Sequence, residues 1–154
     1  MSPLLDIKGL SVSFRTPRGE LKALRDVALH VDHSEIVGII GESGCGKSTL
    51  INAIIGLLPA NTGAVSGHIG FDGRELVGLP ASDMRKLRGE RITTIFQDPM
   101  TALNPVQTIG AQMTAIQYRR RASTSEKRRR AIEFLDKVRL PDAARRPPHS
   151  FPPH

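Results

Sequence analysis

Gly41-Glu42-Ser43-Gly44-Cys45-Gly46-Lys47-Ser48-Thr49 decides how this chain reads. Gly41, Gly46, Lys47 and Ser48 fill the four defining places of the G-x-x-x-x-G-K-[ST] phosphate loop. Glycines there let the backbone bend until several N–H groups point at one anion. The helix that follows adds the positive end of its dipole. Lys47 brings a point charge to the terminal phosphates, and Ser48 offers a hydroxyl to Mg²⁺. The flanks come in the order this motif requires. Glu35-Ile36-Val37-Gly38-Ile39-Ile40 is a nearly continuous apolar stretch, which predicts a strand buried on both faces of a parallel sheet. Leu50, Ile51, Ala53, Ile54, Leu57 and Leu58 recur at helical spacing, and Gly56 and Pro59 supply stop signals.

Working outward, 154 residues make one domain or part of one. The net charge is +7, and the excess is concentrated. Arg119, Arg120, Arg121, Lys127, Arg128, Arg129 and Arg130 stand against one acid, Glu126. Such a run is either a nucleic-acid or anionic-membrane patch or a solvated helix face. No stacking aromatics lie within it, so it is read as a solvated face. The single cysteine, Cys45, excludes an internal disulfide and suits a reducing compartment. Its place in the loop gives its backbone N–H more importance than its thiol. No charged-then-apolar signal segment opens the chain. The apolar stretch Leu50 to Ala60 is too short to span a bilayer.

Along the chain, Leu5 and Ile7, then Leu10, Val12 and Phe14, alternate as half-buried strands do. Residues 16–20 form a turn by composition. Val27, Leu29 and Val31 predict a strand paired with the first, and Asp32-His33-Ser34 turns towards the buried strand. Phe71-Asp72-Gly73-Arg74 predicts a hairpin tip, Asp-Gly being a strong turn dipeptide. Residues 79–83 read as a loop capping a short basic helix at Met84 to Arg88. Arg91 to Phe96 is a second buried-strand candidate, rich in β-branched residues. Thr108 opens a helix carrying Ile109, Met113 and Ile116. Ser123 and Glu126 fit a capping box whose helix turns Ile132, Leu135 and Val138 inward. From Pro141 onward nothing is periodic, and residues 143–154 read as an unstructured tail rich in Pro, Arg and His.

Together these residues resemble the nucleotide-binding subunit of ABC transporters. The match rests on the phosphate loop and on Thr94-Ile95-Phe96-Gln97-Asp98-Pro99, which is similar to the family's Q-loop. It also rests on the hairpin Gly67 to Gly73 and on the aromatic Phe14. The string Phe96 to Pro105 resembles the branch that imports dipeptides, oligopeptides and nickel, and similarity runs from Leu4 to Asp142. The resemblance implies an α/β P-loop NTPase core with an antiparallel β subdomain and the start of a helical subdomain. Residues 1–142 would be a partial nucleotide-binding domain, with core and antiparallel parts at 1–98 and the Q-loop and helical part at 97–140. It implies ATP and Mg²⁺ as cofactors. Backbone N–H groups from Gly44, Cys45, Gly46, Lys47, Ser48 and Thr49 would hold the phosphates, with Gly41 and Ser43 in the same loop. Lys47 would sit on the β- and γ-phosphates, Ser48 and Gln97 on Mg²⁺, and Phe14 against the adenine. Implied partners are membrane permease subunits, a second ATP-binding subunit and, indirectly, a solute-binding protein, with no nucleic acid. The implied location is the cytoplasmic face of the cell membrane.

The sequence also departs from that pattern. It holds no LSGGQ-type signature, no run of four apolar residues ending in Asp-Glu after Gln97, and no switch histidine on a later strand. His149 and His154 lie in proline-rich sequence. Ser150-Phe151-Pro152-Pro153-His154 resembles the lead-in to the signature, so the chain reads as a truncated or frame-shifted form. Two other readings remain: another P-loop nucleotide-binding protein, or a non-catalytic nucleic-acid binder using the basic run. The GTPase motif Asn-Lys-x-Asp is absent from the sequence, and no Asp-x-x-Gly follows the phosphate loop. Removing a general base alone typically costs about 10²–10⁴-fold in rate. The isolated chain is therefore expected to be poorly soluble and to hydrolyse ATP at background rate. Magnesium-dependent phosphate release at the rate of intact ATPases would contradict that.

Overall fold

The apolar alternation of the first strand changes phase between Ile7 and Leu10, and the backbone answers with a bulge. In the computed structural model, residues 2–97 and 102–147 are described. They fall into two units, residues 1–93 and 94–154. In the first unit, β1 (Leu5–Thr16) pairs antiparallel with β2 (Gly19–Val31) on one edge and β3 (Thr62–Phe71) on the other. A short β4 (Arg74–Glu75) closes the order β2-β1-β3-β4. The register against both neighbours slips beside Gly9, whose φ is +61°. The bulge keeps Ile7, Leu10 and Val12 on one face, each no more than 1% exposed. Gly67 on β3 lies against it. A Cβ there would sit 2.4 Å from the Gly9 carbonyl oxygen, so only glycine lets the strands approach.

Turn chemistry fixes both hairpins. Thr16 Oγ1 donates to the Gly19 carbonyl at 2.7 Å. Asp72 and Gly73, at φ +50° and +76°, make the expected tip between β3 and β4. The Glu75 carboxylate accepts the N–H groups of Val77 at 2.8 Å and Ile69 at 3.1 Å and pairs with His68. Desolvation works to raise its pKa, but those bonds outweigh it and hold the group below the usual carboxylate range.

One apolar cluster joins the sheet to two helices. Ile7, Leu10, Val12, Leu24 and Ile69 meet Leu50, Ala53 and Ile54 of α1 (Lys47–Ile54) and Met84 of α2 (Ala81–Leu87). α2 begins behind Pro80, so Ser82 and Asp83 lie in its first turn instead of capping it.

Two predicted strands are not formed. Residues 35–40 have no regular structure, and Ile36 and Ile40 are each 98% exposed. A strand of a parallel sheet needs a parallel neighbour to pair with. Among the described residues the one sheet is antiparallel, and both edges of β1 are already taken. Residues 91–96 likewise offer only a single parallel bridge, Arg88 to Ile92. The antiparallel and helical parts of the expected α/β architecture are present, and among the described residues no parallel sheet is formed.

The second unit holds α3 (Ile109–Ala115), capped by the Thr108 hydroxyl, and α4 (Thr124–Lys137). Ser123 and Glu126 form the full capping box, with Ser123 N–H donating to Glu126 Oε2 at 2.7 Å. The inner stripe of α4 is Ala131 and Leu135. Ile132 and Val138 point outward, 40% and 62% exposed, contrary to the periodicity reading. Weighing large apolar residues alone overlooked that a small Ala131 permits close approach. The tail reading is corrected at its start: Pro141–Arg145 form a 3-10 turn, and Ile109 N–H donates to the Arg146 carbonyl at 3.0 Å. A Cβ on Gly110 would lie 2.6 Å from the Ala144 carbonyl oxygen, which shows how tightly this turn sits on α3. Residues 148–154, with His149 and His154, lie outside the described residues.

Ile69→Ala should cost about 3 kcal/mol by denaturant titration, as a core truncation does. Ile36→Ala should change stability by less than about 0.5 kcal/mol, as at an exposed site. Equal costs would mean that residues 36–40 are packed.

Candidate functional site

After the Asp32–Ser34 turn, the chain runs without strand pairing to the glycine-rich loop. Gly44 and Gly46 take φ +83° and +103°, the left-handed region that favours glycine. Gly46 is the N-cap of α1 and provides no side-chain cap, and the first turn holds no acid. The leading N–H groups of α1 therefore lack a helical partner and carry the positive end of its dipole.

The Lys47 ammonium donates to the carbonyl oxygens of Gly41 at 2.7 Å and Glu42 at 2.6 Å, and lies 3.4 Å from Cys45 Sγ. The two oxygen partners are neutral backbone carbonyls, so the loop is curled around a cation without an acidic side chain among its hydrogen-bond acceptors. A Cβ on Gly41 would meet Cys45 Sγ at 2.8 Å, which would wedge the curl open. The loop is seated on the sheet at its far end. A Cβ on Gly46 would lie 2.8 Å from Leu24 Cδ2 and 3.0 Å from the Ala23 carbonyl oxygen. Leu24 is itself buried and registers against Val12 of β1. The sheet thus places the start of α1.

The sequence-expected loop residues are brought together. Gly41, Ser43, Gly44, Cys45 and Ser48 are exposed, and Gly46, Lys47 and Thr49 are half-buried. Phe14 is half-buried on β1, opposite Leu21 and Thr62, and packs against the apolar cluster. Gln97 is exposed in the second unit. Asp98 and Pro99 lie outside the described residues. The sequence reading missed the Glu42 carbonyl as a partner of Lys47, and Ala23 and Leu24 as the seat of the loop. A loop short enough for its lysine to reach back to its own start signals the first. The second has no local signal, because it depends on how β2 packs.

This arrangement fits a polyphosphate: an uncapped helix start, two left-handed glycines and an ammonium held by carbonyls converge on one exposed loop. It also fits a hard cation at Ser48, whose hydroxyl is exposed in the first turn of α1. Among the described residues no cluster of three or more His, Cys, Asp or Glu could hold a metal without such an anion.

The sequence profile described as ABC transporter matches residues 24–153. The Haemophilus influenzae "Oligopeptide transport ATP-binding protein OppD" is 43% identical over 98% of this chain and 48% of its own length. The Escherichia coli protein of the same name is 42% identical over 96% of this chain and 45% of its own. A "Probable peptide ABC transporter ATP-binding protein" of Sinorhizobium fredii is 45% identical over 93% of this chain and 43% of its own. The chain thus spans about half the length of these curated relatives. Among solved structures, the dimeric bacterial ABC transporter cassette MJ0796 superposes with a TM-score of 0.80 at 27% identity, covering 96% of this chain and 63% of that one. The same cassette "bound to ADP and Pi" gives 0.77 at 25% identity over the same shares.

Gly46→Ala meets both a positive φ and a close neighbour, whereas Gly44→Ala meets a positive φ alone, with nothing within 4 Å of the added Cβ. The first should cost about 3 kcal/mol and the second about 1 kcal/mol, read by thermal melting of the two variants.

Proposed function

This chain belongs to the ABC transporter family, and from that premise we propose that it is the ATP-binding portion of a peptide importer's energising subunit. The observation that carries this reading is the Lys47 ammonium, held inside the glycine loop by neutral carbonyls at the uncapped start of α1.

Each residue then has a physical task. The N–H groups of residues 44–49 donate to phosphate oxygens, with Ser43 and Gly41 shaping the same loop. Lys47 exchanges its carbonyl partners for the β- and γ-phosphates, a charged partner being worth more than a neutral one. Ser48 would supply its hydroxyl oxygen to Mg²⁺, and the Gln97 amide oxygen is a hard donor of the same kind. Phe14 offers its ring to the adenine. When bound, Mg·ATP supplies the phosphoanhydride whose energy the family couples to transport.

Nucleotide binding is the task that these residues support. The peptide assignment draws on the names of the relatives, which are oligopeptide and peptide transport ATP-binding proteins. The proposed partners are permease subunits, a second ATP-binding subunit and, indirectly, a solute-binding protein. A peripheral place at the cytoplasmic face of the cell membrane goes with them. No helix of the described residues is long and apolar enough to cross a membrane.

Calorimetry of the full chain with Mg·ATP tests the reading. Binding is expected, and Lys47→Ala should weaken it about 10- to 100-fold, the effect of losing one hydrogen-bonded charge. Wild-type affinity in the alanine variant would overturn the proposal. Equal affinity for GTP would reject the adenine contact at Phe14.

A further inference from the structure

The basic run reads from sequence as a solvated face because no aromatics interrupt it, yet the folded α4 supplies one from the next turn. Phe134 is 45% exposed, with the Arg130 guanidinium 5.1 Å and the Lys137 ammonium 5.2 Å from its ring centre. Helical spacing at about 100° per residue puts Lys127, Arg130, Phe134 and Lys137 on one flank of α4. That flank adjoins the buried stripe of Ala131 and Leu135. Of the acids of the same helix, Asp136 falls on the far side, while Glu126 and Glu133 border the flank within a turn of Arg130, and Arg129 lies 3.9 Å from Glu133. Three cations and an aromatic ring thus share one flank with two carboxylates at its edge. Val138 and Leu140, 62% and 45% exposed, extend the apolar content past the helix end.

We propose that this flank of α4 lies on an anionic lipid surface. Cations beside exposed apolar side chains are the composition of a helix in a membrane interface. The ring would enter the level of the acyl-chain ends while the long Arg and Lys stems carry their charges up to the headgroup phosphates. A nucleic acid fits less well. To stack a base on Phe134, the strand would have to displace cations already held over the ring, whereas a bilayer takes ring and cations together. The inference goes beyond the nucleotide reading and does not draw on it, since no residue of the phosphate loop takes part.

Co-sedimentation of the full chain with vesicles tests it. Vesicles holding about a third phosphatidylglycerol should retain the protein, and more weakly as salt rises. Purely phosphatidylcholine vesicles should not. The triple variant Lys127→Gln, Arg130→Gln, Lys137→Gln removes three charges with a good helix former and should lower partitioning about 100-fold. Circular dichroism confirms that the variant keeps its helices, and Phe134→Ala separately should lower partitioning several-fold. Equal retention by neutral vesicles, an unchanged triple variant, or tighter binding to duplex DNA at matched phosphate concentration overturns the proposal. Mg·ATP calorimetry on the same triple variant should match the wild type, which separates failure here from failure of the nucleotide reading.

Discussion

Both edges of β1 are hydrogen-bonded, to β2 and to β3, and the first unit is arranged around that fact. The ladder presses Ile7, Leu10, Val12 and Ile69 into one water-free layer. Burying each such side chain is worth about 1.5–3 kcal/mol, ahead of any hydrogen bond in the unit. α1 adds Leu50, Ala53 and Ile54 to the same layer, so its axis follows the sheet. Its first residue, Lys47, is then fixed by Leu24 below Gly46. Position comes from apolar packing, while the loop's own carbonyls hold the Lys47 ammonium.

Much of this was legible in the residues. Asp72-Gly73 marks a hairpin, and Ser123 with Glu126 marks a helix start. In each case the cause is local: a backbone angle or a side chain reaching three residues along. The phosphate loop was legible for the same reason, since its glycines and lysine act on their own neighbours.

What failed depends on distant partners. The runs at 36–40 and 91–96 carry the composition of buried strands, but composition states a capacity and pairing requires neighbours. Ile132 and Val138 have the right spacing for a core face, yet Ala131 and Leu135 hold the buried places. Phe134 was missed beside the basic run because the helix brings it back one turn later.

The hairpins have a bearing on synthesis that the finished fold conceals. Every strand of the sheet lies within the first 75 residues, and its β1–β2 pairing joins near neighbours in sequence. Short loops close quickly. As the chain leaves the ribosome, this sheet has all its strands before most of the second unit has been translated. The apolar residues 36–40 emerge in the same interval with nothing to cover them. A holding chaperone would therefore meet its target early, on the segment between β2 and the phosphate loop.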